Sequence, residues 1–207
     1  MKILIAVPCM DQVPALFAQS LATLRRVGDC VVAFQMGSLI YTSRNQLGRL
    51  AIQQDADYVL WLDSDMVFDP NLLERMLQTV REKDLDMLTG LYFRRVQPYT
   101  PVLFDTLEYT EEKASWTEYK TLPENGLLEV GGCGFGCVLL STEVLMGVQG
   151  KFGTMFNPMQ GLGEDLAFCW RARQCGYKII CDTELVVGHV GQAVVNDAFW
   201  RAYKHEG

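Results

Sequence analysis

The chain has 207 residues, of which 49% are apolar and 21% charged, a balance that fits a globular protein with a substantial buried core. Its net charge of −7 excludes the clustered-basic surface of a general nucleic-acid binder, so no nucleic-acid affinity is expected. No apolar run reaches the roughly 18 residues needed for a spanning helix, so no transmembrane segment is expected.

The opening "KILIAV" predicts a strand that stops near Pro8, because the apolar run is too short for a secretory core. "PALFAQSLATLRRV" has helical spacing at Leu16, Phe17, Leu21 and Leu24, with Gly28 as its stop. "CVVAFQ" predicts a second strand. "TSRNQLGRLAIQQD" predicts a helix opened by Thr42 or Ser43, with Leu47, Leu50 and Ala51 facing inward. "YVLWL" is continuously apolar and predicts a strand covered on both faces. Asp69 as cap and Pro70 as first residue predict the next helix, and "LDMLTGLYF" a fourth strand. This alternation predicts an α/β fold, a mostly parallel central sheet with helices on both faces, and a single domain over 1–207.

The second half is less regular. Residues 94–126 mix prolines, aromatics and charges and predict irregular strands and loop, suited to a lid or an acceptor-facing segment. "LLEVGGCGFGCVLLS" sets a glycine-rich turn between two apolar strands. Its glycines either connect the strands tightly or let backbone approach a ligand, which makes Gly132, Cys133 and Gly134 candidate acceptor contacts. "GEDLAFCWRARQCGY" predicts a helix ending at Gly176, followed by a strand and a loop carrying His189.

Ligands of open α/β sheets gather at the carboxyl ends of the strands. Asp63 and Asp65 follow the third strand there, and Pro8 follows the first. Two carboxylates at i and i+2 can share a hard divalent cation, or an ion and a sugar hydroxyl; they can also form a plain acidic turn. Glu164 and Asp165 either complement the dipole of the helix they open or act as a general base. Arg44 and Asn45 open the second helix, where a guanidinium could meet phosphate or a base. A lone His189 makes no metal site by itself, and His205 near the end of the chain is read as incidental. Seven scattered cysteines suit reduced thiols and a cytoplasmic location, with peripheral membrane association also open.

Taken in order, Pro8, Arg44-Asn45, "LDSDM", "VGGCGFGCVLLS", "GEDLAFCWRARQCGY" and "VVGHVG" resemble the GT-A fold nucleotide-sugar glycosyltransferases, especially glycosyltransferase family 2, over about Lys2 to Gly191. The resemblance implies metal-dependent, inverting transfer of a sugar to an acceptor hydroxyl. Asp65 and His189 would hold Mn²⁺ or Mg²⁺, with Asp63 on the metal or the donor ribose. Asp165 would be the base, with Glu164 beside it, and Pro8, Arg44 and Asn45 would line the nucleotide pocket. The donor would be a UDP- or GDP-sugar, and the acceptor a glycan, a lipid or another hydroxyl compound. The second strand lacks the aspartate with which many relatives read uracil. Two other functions use a related scaffold: a nucleotidyltransferase, which wants a Gly- and Lys-rich loop after the first strand, and an inactive sugar- or nucleotide-binding module.

Overall fold

The computed structural model describes residues 1–37, 39–110, 113–119, 121–123, 126–191 and 194–203. His205 lies outside the described residues. The first half builds β1 (Lys2–Cys9), α1 (Ala15–Thr23), β2 (Asp29–Met36), α2 (Ile40–Gln53), β3 (Tyr58–Leu62), β4 (Met66–Val67), α3 (Leu72–Lys83) and β5 (Met87–Leu91). The second half adds β6 (Leu103–Tyr109), β7 (Ala114–Glu118), β8 (Leu127–Val130), β9 (Gly132–Cys133), β10 (Cys137–Ser141), α4 (Thr142–Phe152), α5 (Glu164–Gln174), β11 (Ile179–Val186), β12 (Gly188–Val190), β13 (Val194–Val195) and α6 (Asp197–Tyr203).

A seven-stranded sheet runs in the order β2-β1-β3-β10-β5-β11-β8. β2, β1 and β3 are mutually parallel, and so are β5 and β11. β10 lies antiparallel between β3 and β5, so these two strands are not neighbours as the βαβ alternation implied. Strand alternation divides the core into two layers. On β1, Leu4 and Ala6 face one layer with Leu47 and Ala51 of α2, Val144 and Leu145 of α4, and Phe168 of α5. Ile3, Ile5 and Val7 face the other with Phe17 of α1 and Leu73, Met76 and Leu77 of α3. Both faces of β3 are therefore covered, as its unbroken apolar run requires.

Several boundaries differ from the sequence signals. α1 closes at Thr23, well before Gly28, because Leu24 turns extended and the Arg25 amide donates to the Pro70 carbonyl at 2.7 Å. α2 begins at Ile40, two residues ahead of Thr42, and α3 begins at Leu72, flanked by Asn71 rather than capped by Asp69. Leu47 and Ala51 of α2 are fully buried, Leu50 only partly. The stretch 94–126 contains the β6–β7 hairpin, which joins β9 in a three-stranded sheet.

Candidate active site

The Asp63-Ser64-Asp65 turn links β3 to β4, and β4 fixes what lies opposite. β12 pairs antiparallel with β4, His189 facing Met66 in register, and the Val190 amide donates to the Asp65 carbonyl at 2.8 Å. This small pairing brings a histidine from the end of the chain onto the acidic turn. His189 Nε2 lies 3.4 Å from Asp65 Oδ2. Its Nδ1 is 2.8 Å from the Phe93 carbonyl. A carbonyl only accepts, so Nδ1 carries a proton, and Nε2 is the ring nitrogen that faces Asp65. Burial raises the Asp65 carboxyl, but the hydrogen bond and charge of His189 and the charge of Arg95 outweigh it and hold Asp65 below the usual aspartate range.

On the other side of the turn, Arg44 is 3% exposed. Its Nη2 donates to Asp63 Oδ1 at 2.8 Å, its Nη1 lies 3.3 Å from Glu164 Oε1, and its guanidinium sits over the Phe135 ring at 5.3 Å. The Nη1 approach to Glu164 is a charge contact rather than an aligned hydrogen bond, and Nε has no protein partner. Burying three ionic groups together is costly unless they pair, and here one cation ties two carboxylates from distant segments. Asp165 accepts from the Leu166 amide at 2.7 Å. Burial pushes its carboxyl above the ordinary value; Arg44 lowers it and Glu164 raises it.

One cleft of about 590 Å³ is lined by Pro8, Arg44, Asp63, Asp65, Glu164, Asp165 and His189, together with Met10, Ile40, Tyr92, Arg94, Arg95 and Phe135. The structure thus brings together most of the candidate residues. It leaves others out. Asn45 is buried, and both its donors and its acceptor are engaged: Nδ2 donates to Tyr41 O and Asn157 Oδ1, and Oδ1 accepts from the Met155 and Phe156 amides. Its side chain anchors α2 to the 155–157 segment and does not line the cleft. Gly132, Cys133 and Gly134 are buried as well. A Cβ on Gly132 would press on Leu107 and Leu166, and one on Gly134 on Tyr92 and Val102, so the glycines serve strand packing. Cys133 exchanges hydrogen bonds with Cys169.

Arg94 and Arg95 are cleft residues that motif reasoning passed over. Their signal was present: two cations directly after the buried strand "MLTGLYF", at a strand's carboxyl end, the same logic that singles out the two aspartates.

Whether these side chains suit a divalent cation turns on Asp65 and His189. Two ligand atoms 3.4 Å apart can touch one ion, and the backbone-anchored Nδ1 orients the ring as metal-binding histidines are oriented. No group of three or more His, Cys, Asp or Glu forms a complete cage among the described residues. A Mg²⁺ or Mn²⁺ ion there would need phosphate oxygens and water for most of its ligands.

The sequence profile of glycosyl transferase family 2 matches residues 42–147, just over half of the chain, including most of α2, the Asp-Ser-Asp turn and the glycine-rich strands. The chain belongs to glycosyl transferase family 2. The fold of this family 2 protein is GT-A. It is similar to the crystal structure of A197 from STIV, at a TM-score of 0.63 and 15% identity, over 95% of this chain and 94% of that one. No curated protein matches the family 2 chain in sequence.

Proposed function

We propose that this glycosyltransferase moves a sugar from a nucleoside-diphosphate sugar to an acceptor hydroxyl with inversion, assisted by Mn²⁺ or Mg²⁺. The observation that carries the proposal is the convergence of Asp65 and His189, 3.4 Å apart, with Glu164 and Asp165 in one cleft. Asp65 and His189 would hold the cation, with Asp63 beside them, and the ion would supply an offset to the charge on the leaving nucleoside diphosphate. Asp165, half-buried and kept basic beside Glu164, takes the proton of the acceptor hydroxyl as that oxygen attacks the anomeric carbon from the face opposite the leaving group. The C–O bond to the acceptor forms as the bond to the diphosphate breaks, so a single displacement inverts the centre. Arg44 holds Asp63 and Glu164 at fixed separation and keeps Asp165 ionisable. Pro8, Met10 and Ile40 line the same cleft on the β1–α2 side, the part assigned to the nucleotide.

No helix among the described residues is long and apolar enough to cross a membrane. The seven cysteines are free thiols, four buried and three half-buried, which supports a reducing, cytoplasmic setting.

The test is sugar transfer from UDP- and GDP-sugars with Mn²⁺, with the products' anomeric configuration read by NMR. Asp165→Asn should lower kcat by about 10²- to 10⁴-fold with donor binding retained. Full turnover in that variant removes the base assignment, and a retained configuration removes the single displacement.

A further inference from the structure

Arg95 occupies the place where the cation would be needed. Its Nη1 donates to Asp65 Oδ2 at 2.8 Å, and that same oxygen faces His189 Nε2. The backbone behind it is firmly placed. The Arg94 amide donates to Thr100 O at 2.9 Å, Tyr99 N donates to Val96 O at 2.9 Å, and Arg94 pairs with Glu118 of β7. The Arg95 stem lies against Gly191, where a Cβ would meet its Cβ, Cγ and Cδ at 3.3–3.4 Å. Its guanidinium is half-exposed and lines the cleft. A guanidinium and a divalent ion drawn to one carboxylate repel each other, so the contact seen here and a loaded Asp65 oppose one another. A diphosphate resolves the conflict. It offers the guanidinium fork two anionic oxygens and gives the ion the oxygen ligands the protein lacks.

We propose that Arg95 is a diphosphate-binding residue that waits on Asp65 as its counter-ion, so that donor and cation enter the cleft as a coupled pair. The inference rests on the reading of this cleft as a nucleoside-diphosphate-sugar site and adds a residue and an order of events to it. Arg95 leaves Asp65 for the phosphates, and Asp65 becomes free for the ion. By reciprocity, the diphosphate raises affinity for the ion as much as the ion raises affinity for the diphosphate.

Calorimetry with Mn²⁺ alone, and with UDP and GDP at saturating Mn²⁺, on wild type, Arg95→Ala and Asp65→Ala tests this. Arg95→Ala should bind Mn²⁺ alone about ten- to hundredfold more tightly than wild type, and the diphosphates about ten- to hundredfold more weakly. The opposite signs separate this role from general damage to the site, which would weaken both. Unchanged affinity for either ligand in Arg95→Ala overturns the inference. If Asp65→Ala still abolishes nucleotide binding in that case, the transferase reading stands without it. Wild-type protein that takes up neither UDP nor GDP with Mn²⁺ overturns both.

Discussion

As the proposed base, Asp165 sits half-buried among other charges, and those neighbours would set the pH at which it works. Burial raises its carboxyl, Arg44 lowers it and Glu164 raises it. A base is active when deprotonated, so kcat/KM should fall as pH drops through this raised value, with the acidic limb above the ordinary aspartate range. Glu164→Gln removes a like charge and leaves Arg44 nearer to serving Asp165 alone. Both changes favour the carboxylate, so the acidic limb should move to lower pH in a pH–rate profile. A limb that stays in place shows that Asp165 is not the group being titrated. Glu164, Asp165 and the aspartate pair were legible as candidates because carboxylates at strand ends and helix starts are conspicuous. Arg44's actual partners were not, because Asp63 and Glu164 lie 19 and 120 positions away along the chain and only the folded sheet sets them against one guanidinium.

At the scale of elements, short pairings position the site. α2 carries Arg44, and its neighbour Asn45 pins the helix to the segment after α4 through the Met155 and Phe156 amides. Asn45→Ala leaves those buried amides without an acceptor, and chemical denaturation should show a loss of about 3 kcal/mol. A surface position would lose a few tenths, so a small effect would mean that water replaces the side chain. Gly131 marks the closest backbone approach in the glycine-rich stretch. A Cβ there would lie 2.7 Å from the Asp105 carbonyl oxygen and 2.9 Å from the Thr106 carbonyl carbon, neither of which can yield as a side-chain tip can. Gly131→Ala should cost about 1–3 kcal/mol and loosen the contact of β6 with β9, measured by hydrogen exchange at the Gly131 amide, which donates to Phe104 O at 2.8 Å. Strands β1, β3 and β5 and helices α2 and α3 were readable from apolar runs and period. The two- and three-residue strands β4 and β12 were not, because such short segments carry no period at all.

Across the whole molecule, the cleft lies over the carboxyl ends of β1 and β3 and is closed by segments from the far end of the chain. Ligand binding should therefore stabilise both halves together. A nucleoside-diphosphate sugar at about a hundredfold excess over its Kd should add about 2.7 kcal/mol to stability and raise Tm, with Mn²⁺ increasing the shift. His189→Ala should remove the Mn²⁺ increment, and the unliganded Tm should fall only by the loss of the side chain's contacts with the Phe93 carbonyl, Asp65 and the Tyr92 ring, because the β4 pairing persists through backbone. An undiminished Mn²⁺ increment in that variant, read by thermal shift, excludes the histidine from the cation site.

The chain's own pattern of residues determined that strands and helices would alternate, that β3 would be buried on both faces, and that acids would cluster at strand ends, because burial and periodicity are local consequences of side-chain type. Tertiary structure alone decided that β10 would run backward between β3 and β5, that Asn45 would serve packing rather than the cleft, and that Arg95 and His189 would meet on one oxygen of Asp65. Those outcomes depend on contacts between segments 30 to 124 residues apart, which become neighbours only when the sheet forms.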